Sequence, residues 1–300
     1  MFTHLLKTAN TVISGKEQQI KLACTCLLAK GHLLIEDLPG MGKTTLAHLL
    51  ARLFGLEFSR IQFTSDMLPA DIIGISVFDK HNTCFKFHPG PVFSQLLLAD
   101  EINRATAKTQ SALLEAMEEQ QITVDGETHR LPQPFFVIAT QNPQTQTGTF
   151  PLPESQLDRF LMRIALGYPD RKTERGILSG VDRREMLARL EPVYSTEQLM
   201  KMQQEVLHIH VSDPLLNYVQ DILQFSRNSQ HFLTGISPRA GIALLHAAKA
   251  WAYIHNREMV IPDDIKMILP SIVLHRLISR DEQLNSEQQI MQLFNSIPIP

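Results

Sequence analysis

The apolar positions of this chain fall into two regimes. As far as about residue 168, short apolar runs end in turn residues and give way to helical patterns. Leu33 to Glu36, Phe58 to Phe63, Leu96 to Asp100, Phe135 to Thr140 and Met162 to Leu166 read as buried strands. Lys43 to Phe54 has helical periodicity, with Gly55 placed to cap its end. Thr106 to Glu118 puts Leu113, Leu114 and Met117 on one helix face. Strands alternating with helices predict a central parallel five-stranded sheet covered on both faces. Two segments break the rhythm and read as hairpins inserted into this α/β core. Ile73 to Phe87 turns near Lys80-His81-Asn82, and Gln121 to Leu131 turns at Asp125-Gly126.

Beyond Tyr168-Pro169-Asp170 the strand runs disappear. Arg171 to Arg189 is charged and helical, with a break at Gly180. Ser195 and Gln198 form a capping box for a helix reaching about His208. Asp213-Pro214, Ser237-Pro238 and Pro262-Asp263 open three more helices, with proline in the first turn. The second runs through Trp251, and Pro270 is expected to stop the third. The expected organisation is an α/β domain over 1–168, a linker over 169–192 and an all-helical domain over 193–300.

Composition adds limits. A chain of 300 residues that is 44% hydrophobic can bury a sizeable core without staples. The formal net charge of -3, with no run of Lys and Arg, removes any whole-molecule pull toward nucleic acid or anionic lipid. Three cysteines, Cys24, Cys26 and Cys84, fit neither a disulfide framework nor a zinc pattern, and are expected to be buried free thiols in a reducing compartment. His208 and His210 form an H-x-H pair without a third ligand, so no metal beyond Mg²⁺ is expected. The first residues lack a secretory pattern, and no apolar stretch is long enough to span a bilayer, so the expected location is cytoplasmic.

Candidate chemistry sits at strand ends. Gly42-Lys43-Thr44 closes a P-loop pattern, G-x-x-x-x-G-K-[ST], whose first position here holds Asp37. Gly40 and Gly42 let the backbone approach phosphate, and a helix starting near Lys43 points free N–H groups and a positive dipole at the anion. The binding segment is Pro39, Gly40, Met41, Gly42, Lys43, Thr44 and Thr45. Lys43 is suited to the β- and γ-phosphates of ATP and the Thr44 hydroxyl to Mg²⁺. The strand Leu96 to Asp100 delivers two carboxylates to the same sheet edge. Asp100 suits Mg²⁺ through water, and Glu101 suits orienting and deprotonating the attacking water. A fourth strand ends in Gln141-Asn142-Pro143, where Asn142 is placed to sense the γ-phosphate.

These segments resemble the AAA+ ATPases, and within them the MoxR family. The resemblance is carried by Asp100-Glu101-Ile102-Asn103-Arg104-Ala105 with the run Lys108 to Met117, by Ala139-Thr140-Gln141-Asn142-Pro143, and by Leu157-Asp158-Arg159-Phe160-Leu161. An Asp at position 37 is itself seen in MoxR proteins. The match runs from about Val12 to the helix of Arg239. It implies that Lys43 and Thr44 are a Walker A pair, Asp100 and Glu101 a Walker B pair and Asn142 sensor 1. It also implies that Arg159 is an arginine finger reaching a neighbouring subunit's nucleotide. Arg239 in Ser237-Pro238-Arg239 resembles sensor 2, acting in its own subunit or the next. Arg104 and Arg163 are further candidates for interface contacts. Val12, Ile13 and Gly15 resemble the segment that packs on adenine. The two hairpins resemble the helix-2 insert and the pre-sensor 1 insert, and the helical region a lid domain.

The implied function is ATP hydrolysis in a ring, expected to be hexameric, that remodels or matures client complexes in the manner of a chaperone. Such proteins work with partners carrying a von Willebrand factor A domain and its metal-ion-dependent adhesion site. A chelatase-like motor for metal insertion, a nucleic-acid motor of the MCM type, and a nucleotide-gated scaffold that binds ATP and barely turns over are the alternatives. The acidic hairpin tip Val124-Asp125-Gly126-Glu127 weighs against nucleic acid.

Overall fold

The computed structural model describes residues 2–81, 83–142, 149–180, 183–280 and 286–299. Asn82 and Pro143, named above in a turn and a strand-end motif, lie outside them. Two helices not assigned from the sequence above, α1 (Phe2–Val12) and α2 (Glu17–Leu28), precede the first strand, β1 (Leu33–Glu36). Then come α3 (Lys43–Leu53), β2 (Phe58–Gln62) and a short α4 (Pro69–Ile73). The first hairpin is β3 (Gly74–Asp79) with β4 (Cys84–Pro89), so Ile73 ends a helix and does not open the hairpin. β5 (Leu96–Asp100), α5 (Ala107–Glu119) and the second hairpin, β6 (Gln121–Val124) with β7 (Glu127–Arg130), follow. β8 (Phe136–Gln141), α6 (Glu154–Leu157) and β9 (Met162–Ile164) complete the α/β part.

The five strands pair in the order β2-β5-β8-β1-β9, all parallel. Every residue of β5 and β8 is buried, which is what continuous apolar runs in a doubly covered sheet require. Parallel pairing brings the carboxyl ends of β1, β5 and β8 to one edge. There Glu36 stands opposite Gln141, and Gln62 opposite Asp100. The two hairpins meet through a stack of Phe87 on His129, with ring centroids 4.0 Å apart and planes 11° from parallel.

The rest is α7 (Arg171–Leu178), α8 (Arg183–Ala188), α9 (Thr196–Leu207), α10 (Asp213–Asn228), β10 (Phe232–Thr234), α11 (Pro238–Ile254), α12 (Pro262–Val273), β11 (Ile278–Ser279) and α13 (Glu287–Phe294). Gly180, at φ +91°, follows α7 as the expected break. The helical region carries one small antiparallel pair, β10 with β11, too short for a periodicity to reveal. Pro270 lies inside α12 and does not end it. An interior proline costs about 3 kcal/mol. Beyond it the helix buries Ile272 and Val273 completely, at about 1.5–3 kcal/mol each, which offsets that cost. One hydrophobic core joins residues of α2, β1, α11 and α12, so the helical region is packed onto the sheet layer. Cys24 and Cys26 are buried in that core, and burial pushes the Cys24 thiol up to about 12. Cys84 is exposed on β4, contrary to the expectation of a buried thiol, because an insert hairpin has no second layer over it.

His32, just before β1, ties the sheet to α5. Its Nδ1 accepts the Val137 N–H at 3.0 Å, so Nε2 carries the proton and faces the Met117 carbonyl at 3.3 Å. Burial lowers its pKa to about 4, below the ordinary value near 6.5. As pH falls, the unfolded chain therefore takes up the proton first. The stabilisation is complete above about pH 6.5 and is lost progressively down to about pH 4. His32 alone is expected to remove about 2 kcal/mol between pH 7 and pH 5, and buried His275 shifts in the same direction. Urea midpoints at the two pH values measure this, and equal midpoints would contradict it.

Candidate nucleotide site

The loop between β1 and α3 turns on two glycines, Gly40 at φ +83° and Gly42 at φ +91°. Both φ values lie where side chains other than glycine are strained. A Cβ built on either glycine meets nothing within 4 Å, so open space lies in front of the loop. Gly42 is the N-cap of α3, and no side chain caps that helix. Its first amides and positive dipole end are thus left for an anion. Pro39 and Gly40 are exposed, whereas Met41 leans on the main core. Thr44 and Thr45 line a cleft of about 590 Å³ together with His48, Arg52 and Arg60.

Asp37 stands where the P-loop pattern has glycine, and the structure gives the reason it is tolerated. Its φ is not positive, so glycine's freedom is not needed there. Its Oδ1 accepts the Leu38 N–H at 2.8 Å, and its Oδ2 accepts the N–H groups of Leu166 and Gly167 at 2.7 and 2.6 Å. The carboxylate thereby ties the base of the loop to the segment leaving β9.

Lys43 is 7% exposed. Its Nζ donates to the Asp37 carbonyl at 2.6 Å and to Asn142 Oδ1 at 3.0 Å. Burial lowers the pKa of this ammonium, against the opposing pull of the Asp37, Asp100, Glu101 and Glu36 carboxylates. Asn142 is the bridge of the site. It receives Lys43 on Oδ1 and donates from Nδ2 to Glu101 Oε1 at 3.3 Å, while its carbonyl accepts from Asn103 Nδ2 at 3.2 Å. Asp100 is held on both oxygens. Thr140 Oγ1 donates to Oδ1 at 2.6 Å, and Arg60 donates to Oδ2 from Nε at 3.2 Å and Nη2 at 2.6 Å. Glu101 sits in the left-handed region at φ +56°, a conformation costing on the order of 1–3 kcal/mol for a non-glycine residue. Besides the Asn142 bond, its N–H donates to Thr140 Oγ1 at 2.9 Å, and Arg104 pairs with its Oε2 at 3.0 Å.

The two candidate arginines are brought together, but not to this loop. Arg159 pairs with Glu118 Oε2 at 2.9 Å and donates to the Leu114 carbonyl at 2.6 Å. Arg239, in the first turn of α11, pairs with Glu118 Oε1 at 2.9 Å. One carboxylate at the end of α5 thus holds both. Arg163 pairs with Glu36 and Glu287 of its own chain. Val12 and Ile13 are buried in the main core, and Gly15 turns at φ +72° against Thr173 and Asp170.

Sequence reasoning missed Arg60, Thr140 and Glu118. Thr140 left a signal, a hydroxyl closing an otherwise apolar strand. Arg60 and Glu118 left none, because both depend on which neighbours the fold supplies.

A glycine turn opening α3 and an acidic strand end at one edge of a parallel sheet, with a helical region packed on it, are the arrangement of a P-loop nucleotide-binding fold. Residues 32–162 match the family model described as the ATPase family associated with various cellular activities, and residues 224–293 match the AAA lid domain. The chain is 43% identical to the uncharacterized protein YeaC of Bacillus subtilis, covering 97% of this chain and 92% of that protein. It is 37% identical to the chaperone MoxR1 of Mycobacterium tuberculosis, covering 96% of this chain and 80% of that protein. A crystal structure of a proposed ATPase from Cytophaga hutchinsonii matches with a TM-score of 0.90 and 35% identity, covering 99% of this chain and 94% of the other. The chain belongs to the MoxR family of AAA+ ATPases.

Proposed function

We propose that this chain hydrolyses ATP within an oligomeric ring and spends the energy remodelling or maturing client protein complexes. The observation that carries the hydrolytic part is Asn142, which joins Lys43 to Glu101 in one hydrogen-bonded line. The amides of Gly40 to Thr45 receive the phosphates, and the Lys43 ammonium exchanges its two neutral acceptors for β- and γ-phosphate oxygens. Val12, Ile13 and Gly15 supply the wall for the base. Asn142 places the attacking water, and Glu101 takes its proton.

The oxygen donors Thr44 and Asp100 suit a hard cation, and a cationic group, Arg60, already sits on the Asp100 carboxylate. Mg²⁺, when bound, supplies positive charge that neutralises the phosphates. Arg159 and Arg239 are paired with Glu118 and not with their own loop, which supports both acting on the nucleotide of the next subunit. We assign residues 1–168 to the nucleotide domain, 169–192 to a linker and 193–300 to the lid. The similarity to the chaperone MoxR1 supports the chaperone reading. A partner with a von Willebrand factor A domain is part of that reading.

A Glu101→Gln ring held in ATP is expected to retain a client or partner complex that the same ring releases in ADP. Affinity capture compared in the two nucleotides measures this. Capture independent of nucleotide, or ATPase stimulation by DNA, would count against the chaperone assignment.

A further inference from the structure

The loop that carries Arg159 is held from one side by the helical region of the same chain. Arg276, in the turn between α12 and β11, has a side chain only 7% exposed. It spans the loop from end to end. Its Nε donates to Asp158 Oδ1 at 2.6 Å, and Nη2 donates to the carbonyls of Asp158 and Phe160 at 3.2 and 2.7 Å. Nη1 donates to the Leu161 carbonyl at 3.3 Å and back to the Ile272 carbonyl in the last turn of α12. The neighbouring His275 adds a bond from Nε2 to the Phe160 carbonyl at 3.1 Å.

A planar guanidinium in a fork of this kind fixes direction as well as distance, which an ammonium does not. Burying the cation is costly unless it is paired, and Asp158, next to Arg159 in the chain, supplies the pair. Arg159 itself is clasped on its other side by Glu118, which also holds Arg239 from the start of α11. The arginine loop thus meets the helical region directly at His275 and Arg276 and indirectly through Glu118 to Arg239, so a rotation of that region must move Arg159 or break these bonds.

We propose that Arg276 is a positioning residue for Arg159, so that the lid of one subunit sets whether its Arg159 reaches the neighbour's γ-phosphate. This rests on the reading that Arg159 acts in trans. Arg276 does not touch nucleotide. Its effect is expected in kcat of the neighbouring site and not in ATP binding.

The test mixes two kinds of chain. The acceptor is Arg159→Ala, with its own Lys43 and Glu101 intact. The donor is Glu101→Gln, which cannot turn over but carries Arg159. Donors also bearing Arg276→Lys or Arg276→Met are compared with the parent donor. Against a parent donor that restores turnover, the Arg276 donors are expected to restore it at least ten-fold less, with KM for ATP unchanged. Their own ATP affinity and their entry into mixed rings, read by native mass spectrometry, are expected to be unchanged. Arg276→Lys keeps the charge and the alkyl stem, so it carries the test should Arg276→Met fold poorly. Full rescue by a folded Arg276 donor overturns the proposal, as does a loss that appears only in KM or in ring assembly. A parent donor that fails to rescue overturns the trans reading itself, and the proposal falls with it. The two failures are told apart by that control alone.

Discussion

Replacing Glu101 with Gln is expected to leave ATP binding intact and to slow hydrolysis by about 10²–10⁴, the range for removing a general base. The substitution is nearly isosteric. Asn142 Nδ2 now donates to Glu101 Oε1 at 3.3 Å, and the amide oxygen of Gln can accept the same bond. What is lost is the proton acceptor and the ion pair with Arg104, whose side chain is 55% exposed. An exposed pair of that kind is worth about 0–1 kcal/mol, so the fold should not change measurably. Lys43 and the amides of α3 are untouched, which is why binding survives. Equilibrium binding of a fluorescent ATP analogue and single-turnover hydrolysis on the assembled protein separate the two effects. Turnover near the wild-type rate would remove Glu101 from the role of base.

Arg159→Ala is expected to cost about 10³–10⁵ in turnover, the worth of an arginine supplied to the transition state in P-loop enzymes. Its structural cost should be small by comparison. Arg159 is partly exposed and gives up one bond to the Leu114 carbonyl and one ion pair. Glu118 keeps its second partner, Arg239, so no charge is left alone. A melting temperature near wild type beside a collapse in kcat would place the effect in chemistry and not in folding. Mixing in Glu101→Gln chains should restore turnover, because each brings an intact Arg159 to an intact neighbouring site. Absence of rescue would show that Arg159 serves its own loop or none.

Much of the α/β part was legible from pattern because its strands are buried on both faces. A run such as Leu96 to Ala99 leaves no other comfortable place for four apolar residues ending in carboxylates. The α3 start was legible for a different reason, since Gly40 and Gly42 supply the positive φ that the loop requires. Of the N-terminal helices, α1 does carry a stripe at helical spacing, Phe2, Leu5, Ala9 and Val12. α2 is buried along much of its surface, which blurs its amphipathic stripe. Pro270 misled because local chain stereochemistry was weighed without the burial on its far side.

By itself the sequence determined the five strands of the sheet, the glycine turn that opens α3, and the acidic pair at the end of β5. Those features are written in local periodicity and in residue types with one backbone or one chemical use. Only the tertiary structure decided what Asp37 does, which cation sits on Asp100, and where Arg159 and Arg239 point. Each of those depends on contacts between residues as much as 130 positions apart in the chain, Asp37 with Gly167 being the longest among them. No local pattern encodes such contacts, because an exposed Arg or Glu carries the same signal whatever partner the packing brings to it.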